Sequence, residues 1–198
     1  MTTPINICVG DIETTGLSQE SGHRIIEIAM SVWKYDPTTQ AKRKVGNTWV
    51  QRINPMRDID PGAQAVHGIS ITDLRGQPLW EDVAPKVHKI ISMCQIFVAH
   101  NGEGFDAPFI ALELVRLGYK IPSIKVFDTM LKGRASTGFG KVPNLKELCW
   151  ATGVDYDPDA AHAADYDVEV LENAYWNGIE LGMFDKPCQF VGICRLGR

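Results

Sequence analysis

The apolar run Ile5-Asn6-Ile7-Cys8-Val9 leads straight into Asp11-Ile12-Glu13-Thr14-Thr15-Gly16. Such a run reads as a buried strand. Side chains alternate faces along a strand, so Asp11 and Glu13 share a face, about 7 Å apart at ~3.3 Å per residue. Two carboxylates held side by side on rigid backbone repel each other unless a cation lies between them. The occupant that suits oxygen-only ligands is a hard divalent ion, Mg²⁺ or Mn²⁺. Thr14, Thr15 and Gly16 then turn the chain and expose backbone N–H groups beside that charge, where an anion or hydroxyl can dock. An ordinary surface strand explains an isolated Asp-x-Glu; strand, acid pair and Thr-Thr-Gly turn together argue for a site.

With 198 residues, 44% of them hydrophobic, the chain can bury one core. No apolar stretch approaches the ~18 residues of a membrane span, and Met1-Thr2-Thr3-Pro4 carries no basic segment followed by an apolar one. The expected setting is cytoplasmic, away from any membrane. The five cysteines (8, 94, 149, 188, 194) are scattered and contain no Cys-x-x-Cys, which suggests reduced thiols and no zinc site. Cys188 and Cys194 are the pair with the weakest claim to inertness. The net charge of −4 argues against a protein that coats nucleic acid by neutralising phosphates. It leaves room for an enzyme whose contact is local and metal-screened.

No internal repeat or long linker is visible, so one domain is expected over residues 1–182, with a C-terminal tail, 183–198, of unassigned role. Strands are expected at 5–11, 24–35, 45–53, 96–99 and 124–127, with Asp36-Pro37-Thr38-Thr39 turning between the second and third. Asp60-Pro61-Gly62-Ala63 opens a short helix, Pro being favoured in a first turn. Helical spacing of apolar residues runs through 81–94 and 106–117, with a short helix at 145–150 and a long one at 163–182. Three strands followed by alternating helix and strand describe a mixed α/β sheet covered by helices on both faces.

Two later segments supply further polar groups. In His100-Asn101-Gly102-Glu103-Gly104-Phe105-Asp106, a strand runs into a Gly-rich turn and opens a helix, with Asp106 in its first turn. A carboxylate there is also favoured by the helix dipole alone. In His162-Ala163-Ala164-Asp165-Tyr166-Asp167, a neutral imidazole able to accept a proton near pH 7 stands beside acids.

Asp-x-Glu-Thr-Thr-Gly, His-Asn-Gly-x-x-Phe-Asp and His-x-Ala-x-x-Asp, in that order, resemble the three motifs of the DEDDh (DnaQ-like) family of 3′→5′ exonucleases, which have a ribonuclease-H-like fold. Val66-His67-Gly68-Ile69 with Thr72-Asp73-Leu74 resembles a family segment between the first two motifs. The resemblance spans roughly residues 5–180. Three residues separate Asn101 from Phe105, and Pro108 follows Asp106, which is more similar to the Trex-type branch than to the proofreading subunits. The resemblance implies an acidic quartet of Asp11, Glu13, Asp106 and Asp167 with His162 as general base. It implies two Mg²⁺ (or Mn²⁺) ions, one held by Asp11, Glu13 and Asp167, the other sharing Asp11 and reached by Asp106 partly through water. Asp165 is a decoy by spacing. His162 and Asp167 would stand ~140° apart on one continuous helix, so they converge only if His162 precedes the helix proper.

These implications lead to two-metal phosphodiester hydrolysis from a 3′ end, releasing nucleoside 5′-monophosphates. The terminal nucleotide would meet Thr14, Thr15, Gly16 and Leu17, with His67, Asn101 and Phe105 on the surrounding wall. Core packing is the competing account of Leu17 and Phe105. No acid occurs between Asp128 and Glu147, while Lys132, Arg134 and Lys141 are basic around Phe139, which suits a single strand as well as it suits a solvated connector. Lys42-Arg43-Lys44 reads as a solvated hairpin end. DNA 3′ ends, single-stranded or frayed, are the expected partner, ahead of RNA, and the chain is expected to be a monomer or homodimer. An exoribonuclease and a polymerase-associated proofreading subunit are the alternatives. A binding module that has lost its metals is disfavoured because all five polar residues are present.

Overall fold

The computed structural model describes residues 3–192. Six strands, β1 (Ile5–Thr14), β2 (Ile25–Tyr35), β3 (Lys42–Lys44), β4 (Trp49–Arg52), β5 (Ile96–Ala99) and β6 (Lys125–Asp128), form one sheet. Its order is β3-β2-β1-β5-β6, with β4 also on β2. β2 runs antiparallel to β1, β3 and β4, and β5 runs parallel to β1 and β6. The helices are α1 (Pro61–His67), α2 (Trp80–Ser92), α3 (Asp106–Arg116), α4 (Thr129–Lys132), α5 (Leu145–Ala151), α6 (Ala164–Glu180) and α7 (Pro187–Phe190). This is the mixed, helix-covered sheet expected from the sequence.

Alternation along β1 divides the core. Ile5, Ile7 and Val9 pack with Val168, Leu171, Ala174 and Tyr175 of α6. Cys8 and Ile12 face the other way, onto Val83 and Val87 of α2 and Phe109 of α3. The parity that turns Val9 toward α6 turns Asp11 and Glu13 toward it as well. The parallel strands β1 and β5 point the same way, β1 running on past the end of β5, and the crevice outside such carboxyl ends is where open α/β sheets bind ligands.

The expected third strand, 45–53, is shorter, β4 over Trp49–Arg52, and β3 over Lys42–Lys44 stands before it. Gly46 adopts φ 73° between them, and β3 and β4 pair separately with the two halves of β2. Lys42–Lys44 is the return strand of the β2 hairpin, solvated at Lys42 and Arg43 as expected, with Lys44 half-buried. Lys44 Nζ lies 2.6 Å from Glu172 Oε1 on α6, and Lys42 pairs with Glu180 while its Nζ sits 5.2 Å from the Trp176 ring centroid. Trp33 and Tyr35 pack within the chain against Trp176, and Trp49 is covered by Lys86. The core also continues past Gly182. Phe184 and Cys188 are buried, and Phe184 and Phe190 meet Phe127 edge-on at 5.3 and 5.0 Å. The rest of that tail, Cys194 included, lies outside the described residues. Cys8, Cys94 and Cys149 are buried free thiols, whereas Cys188 is disulfide-bonded, a departure from the expectation of reduced thiols throughout. Among the described residues no helix is long and apolar enough to cross a membrane.

Glu172 ties α6 to the sheet. Buried, it accepts from Ser31 Oγ at 2.6 Å and Trp33 Nε1 at 3.0 Å, and Lys44 supplies the countercharge. Removing one partner of a buried pair strands the other's charge, a larger loss than the pair's own net worth. Lys44→Met is expected to lower unfolding free energy by about 2 kcal/mol in urea titration, with Glu172→Leu added to it recovering part of the loss. An unchanged midpoint in Lys44→Met would show that solvent already compensates Glu172.

Candidate active site

Asp11 and Glu13 project from the last turns of β1, Asp106 opens α3, and Asp167 lies in the first turn of α6. His162 precedes α6, as convergence with Asp167 requires, and its backbone sits at φ 66°. Asn101, in the turn after β5, sits at φ 66° as well. Side chains other than glycine rarely occupy this left-handed region, and strain of this kind collects at functional sites. Ligand atoms of Glu13, His162 and Asp167 lie within 4.8 Å of one another. The His162 backbone N–H donates to Asp167 Oδ2 at 3.1 Å, which closes the loop onto the helix. Asp165 is exposed and its Oδ1 accepts from the Tyr166 backbone, away from this cluster.

Burial raises the pKa of all four acids, and neighbouring carboxylates add to it. Burial, then the charges of Asp106, Glu13, Asp167 and Glu27, push Asp11 well above the carboxylate range. Burial, then Asp167, Glu27 and Asp106, push Glu13 up to about 8. Burial lifts Asp106 to about 7, with Asp128 adding to it, and burial raises Asp167 against the opposing pull of His162. Asp106 Oδ1 and Asp167 Oδ1 are buried without a hydrogen-bond partner. Orphaned carboxylate oxygens in an all-oxygen and imidazole donor set fit hard divalent cations. Asp11, Glu13, Asp106 and Asp167 are the residues that would hold them.

Two supporting acids were not anticipated. Glu27 stands opposite Glu13 across the β1–β2 ladder, where like charges are unfavourable. Arg52 Nε meets it at 2.7 Å, and the Ala164 N–H at the start of α6 donates to Glu27 Oε2 at 3.3 Å. Glu27 thus anchors the helix end that carries Asp167. A lone acid between Ile26 and Ile28 was its visible signal. Asp128, at the end of β6, accepts backbone N–H groups from Asn101, Glu103, Met130 and Leu131 at 2.9–3.2 Å. It fixes the turn that leads to Asp106.

Beside the acids lies a cleft of about 620 Å³ lined by Glu13, Thr14, Gly16 and Leu17 on one side and Pro61, Val66 and His67 on the other. Asn101 and Phe105 also line it. Leu17 is 84% exposed at its mouth, so core packing does not account for it, whereas Phe105 also packs on Phe109 at 4.8 Å. His67 Nδ1 accepts the Ile69 N–H at 3.0 Å, which leaves the ring proton on Nε2, buried and turned toward the Thr14 backbone carbonyl. Thr15 is buried and does not line the cleft. Lys132, Arg134 and Lys141 are not brought to the acids. Arg134 donates to Gly140 O at 2.9 Å, and Lys141 Nζ pairs with Glu147 at 2.8 Å.

Carboxyls held protonated above their unfolded range mean that the folded, metal-free chain binds more protons than the unfolded one. Its stability is full below the ordinary carboxylate range and is lost as pH rises through about 7 for Asp106 and about 8 for Glu13. The melting temperature of EDTA-treated protein is expected to fall from about pH 5 to about pH 8, with Mn²⁺ restoring most at the upper end. Asp106→Asn should raise the metal-free melting temperature near pH 8 by a few degrees while cutting turnover about 100-fold or more. A flat melting profile between those pH values would overturn the repulsive cluster.

Residues 8–175 match the exonuclease family RNase T. Over 197 residues the chain is 32% identical to the DNA polymerase III subunit epsilon of Pasteurella multocida (strain Pm70), covering 93% of this chain and 74% of that protein. Its structure is similar to E. coli exonuclease I bound to single-stranded DNA, with TM-score 0.73 and 18% identity over 91% of this chain. The chain spans only 41% of exonuclease I. It is also similar to exonuclease X in complex with 5′ overhanging duplex DNA, with TM-score 0.65, 21% identity, and 94% and 98% of the two chains covered. These likenesses show the ribonuclease-H-like exonuclease fold. With its three motifs drawn into one acidic site and the family match spanning most of its length, the chain belongs to the RNase T (DnaQ-like, DEDDh) exonuclease family.

Proposed function

We propose that this chain hydrolyses phosphodiester bonds from the 3′ end of DNA, single-stranded or frayed, and releases nucleoside 5′-monophosphates. One observation carries the reading: Glu13, His162 and Asp167 converge within 4.8 Å where Glu13 opens onto a cleft of about 620 Å³, a size suited to one terminal nucleotide. Two divalent ions, Mg²⁺ or Mn²⁺, held by Asp11, Glu13, Asp106 and Asp167 would supply an acidified water and neutralise charge on the phosphate. His162 is exposed and takes the proton of the attacking water. Its bond to Asp167 through the backbone leaves the ring free for this task. Leu17, Val66 and Phe105 offer apolar surface to the base, the His67 ring lines the wall beside them, and Asn101 offers a polar group to sugar or phosphate.

The strand leaving the cleft is assigned to residues 132–141. Phe139 is fully exposed at φ 59°, between glycines, and the loop beneath it is closed by Arg134 on Gly140 O and Thr137 on Lys141 O. A rigidly presented aromatic face can stack on any base. Because Arg134 and Lys141 already have partners within the chain, stacking carries more of this contact than charge. The spacing between Asn101 and Phe105 supports kinship with the Trex-type branch. The identity with polymerase III epsilon supports a second reading, a nuclease that works on a polymerase.

Digestion of matched 5′-labelled DNA and RNA oligonucleotides tests the activity. A ladder shortening from the 3′ end, abolished by EDTA and reduced about 100-fold or more in His162→Ala, is the expected result, with DNA the faster substrate. No metal-dependent product from folded protein would sink the proposal. Phe139→Ala should raise KM about 5- to 10-fold for a strand of several nucleotides and leave a dinucleotide unaffected.

A further inference from the structure

Thr15 follows the acid pair in the turn beside the cleft, yet its hydroxyl is spent inside the protein. Oγ1 accepts the Arg24 backbone N–H at 3.0 Å and lies 3.0 Å from His23 Nδ1. Arg24 fills one lone pair of Oγ1; in the tautomer where the hydroxyl donates to Nδ1, the imidazole carries its own proton on Nε2. Nε2 stands 3.5 Å from Asp60 Oδ2. Asp60 is the N-cap of α1 and donates its backbone N–H to Thr15 O at 2.9 Å. The His23 ring also lies flat against Gly16, where an added Cβ would come within 2.3–2.7 Å of ring atoms. His23 is buried. It belongs to neither wall of the cleft, but it touches the turn that forms one wall and the residue that starts the other.

We infer that His23 is a positioning residue that sets the separation of the two cleft walls and thereby the grip on the terminal nucleotide. The inference rests on the nuclease reading above and adds to it a residue outside the three motifs. His23 contacts no reacting atom. It holds Thr14, Gly16 and Leu17 at a fixed distance from Pro61, Val66 and His67 through Thr15 on one side and Asp60 on the other. Losing it therefore loosens nucleotide binding and leaves the acids and His162 in place.

The test compares wild type, His23→Ala, His23→Asn and Asp60→Asn. It measures the Kd of thymidine 5′-monophosphate with Mn²⁺ by calorimetry, and KM and kcat on a 3′-labelled DNA oligonucleotide. His23→Ala is expected to raise KM and Kd about 10-fold with kcat within about 2-fold of wild type. His23→Asn presents an amide oxygen near the Nδ1 position, accepts the Thr15 hydroxyl, and should return both constants to within about 3-fold of wild type. Asp60→Asn weakens only the α1 side and should raise both constants less than His23→Ala; it carries the test if His23→Ala does not fold. Wild-type constants in folded His23→Ala, or a loss confined to kcat, overturn the inference while the nuclease reading stands. A wild-type protein that neither cleaves DNA nor binds the nucleotide overturns both.

Discussion

Mutual repulsion among Asp11, Glu13, Asp106 and Asp167 is the constraint around which the fold is arranged. Burial raises the pKa of all four carboxyls, and the charges of the others add to it at Asp11 and Glu13, so in the bare protein each must be held by structure it cannot supply itself. β1 holds two of them by strand parity. The first turns of α3 and α6 hold the other two, where the partial positive charge of a helix N-terminus favours carboxylates. A cation bound among them would convert the cost into affinity, a trade of stability for function common at working sites.

The supporting contacts are long in sequence and short in space. Arg52 balances Glu27, which in turn receives the N–H of Ala164, so β4, β2 and α6 meet behind Glu13. Asp128 gathers four backbone donors and fixes the approach to Asp106. Against these anchors Asn101 and His162 are held at positive φ, a strain that neighbouring bonds must offset. Farther out, Glu172 locks the body of α6 to β2 and β3, so the helix that presents Asp167 cannot slide along the sheet.

The cleft is assembled differently from the acid cluster. Its walls come from the turn after β1 and from α1, elements separated by three strands in the chain. What joins them is His23 and Asp60, neither of which has a chemical part to play. The basic loop contributes less charge than its composition suggests, because Arg134 bonds to one of its carbonyls and Lys141 to Glu147. Phe139 is what that loop leaves exposed.

Period and local chemistry were enough to place much of this from residues alone. Strand alternation put Asp11 and Glu13 on one face and 3.6-residue periodicity located α2 and α3; the spacing of the family motif selected Asp167 over Asp165, and helix geometry then required His162 to stand before α6. These are properties of a single element, set by backbone geometry wherever that element packs. The pairing of β3 and β4 with separate halves of β2, the ion pair of Lys44 with Glu172, the packing of Phe184 and Phe190 on Phe127, and the bond between the Thr15 hydroxyl and His23 were decided only by the tertiary structure. Each depends on which strand registers against which, and a side chain's partner across such a register carries no periodic mark in the chain. Sequence determined which groups the protein would bring to its chemistry; the fold decided which of them face the substrate and which are spent holding the others still.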